Sequence, residues 1–310
     1  MPLTDYNCPI CMKKMSNKTS GQDITADSYP NANSYNECLR QCDACMVGYS
    51  NSKSNPTLIF KDPLLNIPVH IRGNINEVLA CSLNIKTRKT KLKRIGFNTS
   101  EDALSWTVFR YSQKLDNISA LMKYITGEKA SEEITVYYWG VPLNKKGEIN
   151  NEKQDYIQKL LIDMGEKQDT LSEPDIILED SDSVVFFEVK LSSSNDYQTP
   201  SDKWNTYKNN SYFQKDITTL SGKYPYQLFR NWYIGNKFAE QKNRKFYLIN
   251  LVLKRPKDKE TELLKSIINE TDSSRFKTIT WNELLNNCFT KELPEWLITW
   301  LRNRKPEIKV

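Results

Sequence analysis

Residues 174–191 constrain the fold of this chain more than any other stretch. Two apolar segments, at 174–178 and 184–191, are separated by the polar stretch 179–183. Residues that favour strands are frequent in both segments, and the polar residues between them are typical of a turn. The sequence therefore predicts two short strands that pair as an antiparallel hairpin.

Charged residues inside the second segment indicate a site. Side chains alternate across a strand, so Glu188 and Lys190 share one face while their neighbours point the other way. Burying a carboxylate and an ammonium in an apolar strand is costly unless something pairs them, and a divalent cation does so. If the hairpin pairs as predicted, Asp175 lies across from the same face. An isolated Glu-x-Lys is usually an exposed pair, but its position one hairpin after Asp175 favours a site.

These residue types suit metal-dependent hydrolysis of a phosphodiester. Mg²⁺ takes hard oxygen ligands, and one or two carboxylates with waters and a phosphate suffice. The metal polarises the phosphate and lowers the pKa of a bound water. Lys190 would position that water or stabilise the developing charge. The chain has a single histidine, His70, which argues against a Ser-His-Asp hydrolase or a histidine general base.

The residues Pro174-Asp175 and Glu188-Val189-Lys190 resemble the motif of the PD-(D/E)XK nuclease superfamily, which has the restriction-endonuclease-like fold. The resemblance covers about residues 98–255. It implies an α/β fold in which helices flank a central mixed sheet. It also implies a catalytic Mg²⁺ or Mn²⁺ site at Asp175 and Glu188.

The same resemblance implies two further site residues. Many members carry a glutamate on the helix before the sheet, and Glu101 is the match, as a third metal ligand. Its alternative role is simple complementarity to the helix dipole. Some members carry a polar residue on a later helix that faces the site. Gln227 fits, with Arg230 on the same helical face, and ordinary helix surface is the alternative.

The remainder of the chain from about residue 95 indicates alternating helices and strands. Ser100 is predicted to cap a helix that runs through residue 115 and towards residue 125, with acidic residues in its first turn. Further strands are predicted at 134–139, 245–253 and 276–280, and further helices at 155–164, 226–238, 259–269 and 296–300. Helices on both sides of a mixed sheet define the α/β class.

Cysteines concentrate near the N-terminus, where the first 55 residues hold five of the seven. Cys8 and Cys11 form one C-x2-C pair, and Cys42 and Cys45 form another. Each pair can supply two thiolates to a tetrahedral zinc ion, and this polar segment has little apolar sequence with which to fold unaided. We predict a structural Zn²⁺ module over residues 1–73, which contacts DNA, and a nuclease domain over residues 74–310.

Cys38 leaves two alternatives open. With Cys42 and Cys45 it spells C-x3-C-x2-C, which resembles the radical-SAM signature and could ligate an iron–sulfur cluster. No suitable strand precedes it, so this is the minor alternative. Cys38 could also replace Cys42 as a zinc ligand. Cys81 and Cys288 lie in apolar surroundings and are predicted to be core residues.

The chain has a formal net charge of +6, and much of its basic character lies in one short run. That run is predicted to contact nucleic acid; its alternative is a solvated strand or loop. The proposed contacts are Arg88, Lys89, Lys91, Lys93 and Arg94. No apolar run is long enough to span a bilayer and none resembles a signal peptide, so we predict a cytoplasmic protein without membrane contact.

Together these features predict an Mg²⁺-dependent DNA endonuclease, of the restriction or host-defence type. One alternative is a catalytically inactive nucleic-acid-binding or adaptor protein. Another is a repair or RNA nuclease with the same fold. Restriction-type enzymes often dimerise to cut both strands, so a homodimer is expected by analogy.

Overall fold

The structure of this chain is a computed structural model, which describes residues 6–17, 31–52, 56–131, 133–191, 207, 212–214, 225–254, 259–268, 270–289, 293–304 and 308. The chain forms two compact units. The first contains Met1–Gly73 and Lys89–Thr107, and the second contains Asn74–Arg88 and Val108–Val310. The roles predicted for residues 1–73 and 74–310 stay predictions.

Strands and helices alternate along much of the chain. The strands are β1 (Ser16–Asn17), β2 (Arg40–Cys42), β3 (Val47–Tyr49), β4 (Leu58–Phe60), β5 (Thr135–Tyr138), β6 (Val141–Leu143), β7 (Ile176–Glu179), β8 (Ser183–Val189), β9 (Lys245–Val252) and β10 (Phe276–Thr280). The helices are α1 (Ile75–Cys81), α2 (Arg88–Ile95), α3 (Glu101–Lys114), α4 (Ile118–Thr126), α5 (Asn151–Asp163), α6 (Tyr226–Glu240), α7 (Lys259–Lys265), α8 (Trp281–Cys288) and α9 (Glu295–Arg302). Within the described parts of the chain, no helix combines the length and apolar character needed to cross a membrane.

The first unit contains a small antiparallel sheet in the order β1-β2-β3-β4. Its strands have two or three residues each, and the hairpin of β2 and β3 places Cys42 opposite Val47. The core beside it is small, with Met15, Val47 and Leu58 packed among cysteines. Strands this short give no alternating pattern, which explains why the sequence did not predict the sheet.

The second unit is built on a six-stranded mixed sheet in the order β10-β9-β8-β7-β5-β6. Strands β8, β9 and β10 are parallel, and the remaining neighbours are antiparallel. The predicted hairpin is confirmed, since β7 and β8 pair with Ile176 opposite Phe187. The prediction of an α/β fold with a central mixed sheet is also confirmed.

Helices cover both faces of this sheet. On one face, Trp232 of α6 contacts Phe246 of β9 with ring centroids 5.5 Å apart. Helix α5 contributes Ile157 to the same apolar cluster. On the opposite face, Phe109 of α3 contacts Phe187 at 4.9 Å. Every residue of β8 is buried, because its two faces are both covered.

One long predicted helix is two helices in the structure. Ser100 caps the first as predicted, and its hydroxyl accepts a hydrogen bond from the backbone of Ala103 at 3.1 Å. Helix α3 then ends at Lys114, and α4 begins at Ile118. Asp116 between them has φ of 60°, a left-handed conformation that interrupts a right-handed helix.

The carboxylate of Glu179, at the end of β7, is buried among basic side chains. Its Oε1 accepts hydrogen bonds from Lys242, at 2.5 Å, and from Arg244. Its Oε2 accepts one from the hydroxyl of Tyr137 and lies 3.7 Å from the Nζ of Lys153. Burial alone raises the pKa of Glu179, but these partners outweigh it and hold the pKa below its ordinary value. We call these five residues the Glu179 cluster.

Candidate active site and metal centre

Asp175 and Glu188 face each other across the hairpin of β7 and β8. The pairing of Ile176 with Phe187, extended by one residue, places Asp175 opposite Glu188. The Oδ2 of Asp175 accepts a hydrogen bond from the backbone of Val189 at 2.7 Å. Directly opposite residues of an antiparallel pair have Cβ atoms about 4.5–5.5 Å apart. The two carboxylates are therefore within reach of one small ion.

Lys190 lies beside Glu188 on the same face. The backbone N–H of Lys190 donates to the carbonyl of Leu251 at 2.7 Å, so the parallel ladder with β9 continues past the end of β8. This pairing keeps the alternation of side chains, and the Nζ of Lys190 donates to the Oε1 of Glu188. Glu188 is 2% exposed and Lys190 7% exposed. The structure thus brings together the three residues singled out from the sequence.

Asn231 of α6 also contacts Glu188 and was missed by the sequence analysis. Its Nδ2 donates to the Oε2 of Glu188 at 2.7 Å, and its side chain is fully buried. One feature of the sequence could have identified Asn231 as a buried polar residue with a partner. Asn231 follows the buried Leu228 by three positions and so lies on the apolar face of the helix, where a polar amide needs a partner.

Arg230 adds a second cation next to this pair. Its Nε and Nη2 both donate to the Oδ1 of Asn231 at 3.3 Å. Burial lowers the pKa of Arg230, but electrostatic interactions with Tyr207, Glu188 and Glu166 outweigh burial and raise it. The guanidinium is therefore protonated at every pH at which the protein is folded.

The other two predicted site residues are placed as follows. Gln227 lies one turn before Asn231 on the same helical face and is half-buried. Glu101 is the first residue of α3 and is half-buried in the first unit. The roles predicted for Gln227 and Glu101 stay predictions.

The donor set of this site fits a hard divalent cation. Carboxylate oxygens are the ligands that Mg²⁺ and Mn²⁺ prefer, and Mg²⁺ keeps several waters beside one or two carboxylates. Asp175 is partly exposed, so a hydrated ion can reach it, whereas Glu188 is buried. Asp175 and Glu188 would hold the ion, and Lys190 would balance part of their charge.

Four cysteines of the first unit form a second candidate metal site. The thiol sulfurs of Cys8, Cys11, Cys42 and Cys45 all lie within 4.8 Å of one another. Those of Cys11 and Cys42 are 3.7 Å apart. Thiolates bound to one tetrahedral zinc at about 2.3 Å lie about 3.8 Å from each other, so the spacing fits zinc.

The pKa values of Cys11 and Cys45 are shifted in opposite directions. The pKa of Cys11 is lowered from 9.0 to about 7, chiefly by a hydrogen bond with the backbone of Lys13. Burial, helped by the neighbouring thiols, raises the pKa of Cys45 to about 12. Only thiolates ligate zinc, so binding must release protons and the affinity must fall as the pH falls.

Cys38 does not belong to this group. Its thiol donates to the carbonyl of Ser34 at 3.4 Å, and it packs in a separate cluster with Ala32 and Ile59. A Cβ on Gly48 would lie 2.6 Å from the Cβ of Cys38, which shows how closely the chain packs around it. Cys42 rather than Cys38 is therefore the fourth member, and the C-x3-C-x2-C set is not brought together.

The basic run forms helix α2 rather than a strand or loop. Lys89, Lys93 and Arg94 are exposed. The guanidinium of Arg88 instead donates to the carbonyl of Ser82, at 2.9 and 2.6 Å. Lys91 lies 3.9 Å from Asp102. Three of the five predicted contacts thus present their charge to solvent.

A mixed sheet flanked by helices, carrying two carboxylates and a lysine on one hairpin, has the architecture of restriction-endonuclease-like proteins. The family described as restriction endonuclease associating with ARP matches residues 146–304, just over half of the chain. This chain belongs to that family. The match includes Asp175, Glu188, Lys190 and Asn231 but neither the four cysteines nor α2. No curated protein and no solved structure matches the chain.

Proposed function

We propose that this chain is an Mg²⁺-dependent endonuclease that hydrolyses phosphodiester bonds of DNA, of the restriction or host-defence type. The observation that supports this proposal most is that one hairpin brings together three side chains, those of Asp175, Glu188 and Lys190. All three lie within the part of the chain that matches a restriction endonuclease family. Two carboxylates can hold the metal that assists phosphodiester hydrolysis, and a lysine can stabilise the charge that develops on the phosphate.

Each side chain has a separate task in this proposal. Asp175 and Glu188 hold Mg²⁺, which when bound polarises the phosphate and lowers the pKa of a water molecule. Lys190 places a fixed positive charge beside Glu188, where it stabilises the negative charge that develops on the phosphate. Glu101 is proposed as a third acidic ligand, and Gln227 as a polar residue that faces the substrate.

We propose further that the four cysteines bind a structural Zn²⁺ ion and that α2 contacts DNA. The support for zinc is the spacing of the thiols. The support for DNA contact is the exposure of Lys89, Lys93 and Arg94 on one short helix. Contacts between such cations and phosphates give affinity and salt dependence without sequence information.

A protein partner is the last part of the proposal. The description of the family states that its restriction endonuclease associates with ARP, and we propose that this chain does so too. Light scattering on the purified chain, alone and with the partner, would report this association. The same measurement tests the homodimer expected by analogy.

Replacing Lys190 with methionine tests the nuclease proposal. We expect Lys190→Met to cleave supercoiled plasmid about 100-fold more slowly than the wild type in Mg²⁺, because one stabilising charge is removed at the reacting phosphate. Chelation of Mg²⁺ should stop cleavage by the wild type. The rate of plasmid nicking is the measurement, with a labelled RNA of matched sequence assayed in parallel.

Lys159→Met is the matched control, since Lys159 is exposed on α5. It should cleave as fast as the wild type. A folded wild-type chain that cuts neither nucleic acid would leave the inactive adaptor as the better description. Cleavage of RNA alone would make the chain an RNA nuclease. Equal rates for the wild type and Lys190→Met would remove Lys190 from the site.

A further inference from the structure

We propose that Asn231, oriented by Arg230, is a positioning residue that fixes the carboxylate of Glu188 for metal binding. This inference rests on the proposed nuclease function and deepens it. It assigns a role to Asn231, which neither the family description nor the sequence motif names. Three contacts connect these residues: Lys190 and Asn231 both donate to Glu188, and Arg230 donates to Asn231.

The carboxylate of Glu188 is held from two sides. Lys190, two positions further along the same chain segment, donates to Oε1. Asn231, on the helix that covers this face of the sheet, donates to Oε2 at 2.7 Å. Two donors on different oxygens stop the carboxylate from rotating. Each oxygen has two lone pairs, so each keeps one for a cation.

The orientation of the Asn231 amide is determined by Arg230. An asparagine side chain has a donor end and an acceptor end of nearly the same shape. A guanidinium has donors only, and two of its N–H groups point to Oδ1 of Asn231. Oδ1 must therefore face Arg230, and Nδ2 must face Glu188. If the amide were reversed, the Oδ1 of Asn231 would face the carboxylate of Glu188, and its Nδ2 would face the guanidinium of Arg230. Neither contact could then be a hydrogen bond.

The position of Asn231 is rigid because its helix is packed on the sheet. The side chain is fully buried, so water does not compete for its amide. The next residue, Trp232, is also fully buried and contacts Phe246 of β9 at 5.5 Å. A donor fixed in this way selects one rotamer of Glu188, as partners of metal ligands commonly do.

Metal binding without substrate provides the test. Mn²⁺ alone would be titrated into the zinc-loaded full chain and followed by electron paramagnetic resonance. Removing an outer partner of a ligand typically weakens metal affinity by about 10- to 100-fold. We expect Asn231→Leu, which has a similar volume and no donor, to raise the Mn²⁺ dissociation constant about tenfold. Arg230→Met should raise it less, because the amide keeps its donor but loses its orientation.

Asn236→Leu is the matched control. Asn236 lies on the same helix, is 8% exposed, and donates to the carbonyl of Trp232 at 2.8 Å without a contact to Glu188. A purely structural role for Asn231 would make the two leucine variants bind Mn²⁺ alike, and that result overturns the inference. Arg230→Met decides the case if Asn231→Leu does not fold, since unchanged affinity there also overturns it.

Glu188→Gln separates this inference from the proposed function. If the wild type binds Mn²⁺ and Glu188→Gln does not, the proposed metal site is supported. The Asn231 and Arg230 variants then test the positioning role separately. If the wild type and Glu188→Gln bind Mn²⁺ equally, the metal site itself is wrong. The positioning role of Asn231 then falls with it.

Discussion

The Cys42→Ser variant is expected to lose its zinc ion and the fold around it. The four thiols surround one point, whereas the apolar core beside them contains few residues. Structural zinc contributes about 10–16 kcal/mol of apparent binding free energy near neutral pH in small zinc domains. That exceeds what a core of this size can supply, so the metal-free module should be unfolded.

Two measurements check this expectation. Elemental analysis should find one zinc per wild-type chain and none in Cys42→Ser. Hydrogen exchange of residues 6–17 and 38–49 should become fast in the variant, while the six-stranded sheet stays protected. A brown protein that contains iron would instead indicate an iron–sulfur cluster at the four cysteines.

Cys38→Ser is the matched control for Cys42→Ser. Cys38 lies four positions earlier, is equally buried, and donates to a backbone carbonyl that a serine hydroxyl can also reach. We expect this variant to retain its zinc and its slow exchange. Loss of zinc from Cys38→Ser but not from Cys42→Ser would contradict the arrangement of the thiols described above.

The Glu179→Gln variant is expected to lose about 3 kcal/mol of unfolding free energy, because removing one partner of a buried ion pair leaves uncompensated charge. Lys153, Lys242 and Arg244 would then surround a neutral amide. We take the lower end of the usual range, since these three side chains are 34%, 18% and 21% exposed and can turn partly to water. Urea unfolding followed by tryptophan fluorescence measures the loss.

Glu128→Gln is the control for this measurement. Glu128 pairs with Lys245 at 2.6 Å, but both side chains are about half exposed. Exposed pairs contribute roughly 0–1 kcal/mol, so this variant should unfold almost as the wild type does. If Glu179→Gln and Glu128→Gln lost the same unfolding free energy, the Glu179 cluster would not stabilise the fold more than an exposed ion pair does.

The contribution of Glu179 to the free energy of unfolding should also decrease as the pH falls. Its pKa is lower in the folded chain than its ordinary value of 4.5. The stabilisation is therefore complete above about pH 4.5 and is lost as the pH falls through the folded pKa. The difference in stability between wild type and Glu179→Gln should shrink on acidification. A difference that grows instead would contradict the lowered pKa.

The sequence predicted the hairpin and the pairing of Glu188 with Lys190 because both depend on local regularities. Alternation along a strand is determined by the backbone alone, and the polar residues between β7 and β8 mark the turn. The helix of Tyr226–Glu240 was recognised for the same reason, from its apolar residues at helical spacing.

The sequence did not reveal Asn231, because its partner lies 43 residues away along the chain. Gln227, Arg230 and Asn231 are all polar, and only the packing of the helix on the sheet decides which of them reaches Glu188. The basic helix α2 was missed because its charges obscure its weak apolar face. The break at Asp116 was missed because the apolar pattern continues through it into α4.

Helix α6 is anchored to the sheet at two points, and this restricts how its length can vary in evolution. Asn231, in the first half of the helix, contacts Glu188, and Lys242, just beyond its C-terminal end, contacts Glu179. These anchors are eleven positions apart, close to three full turns, so both point to the same side. One inserted or deleted residue would rotate one anchor by about 100° away from its carboxylate. Relatives should therefore vary freely in their loops but conserve the number of residues between these two positions.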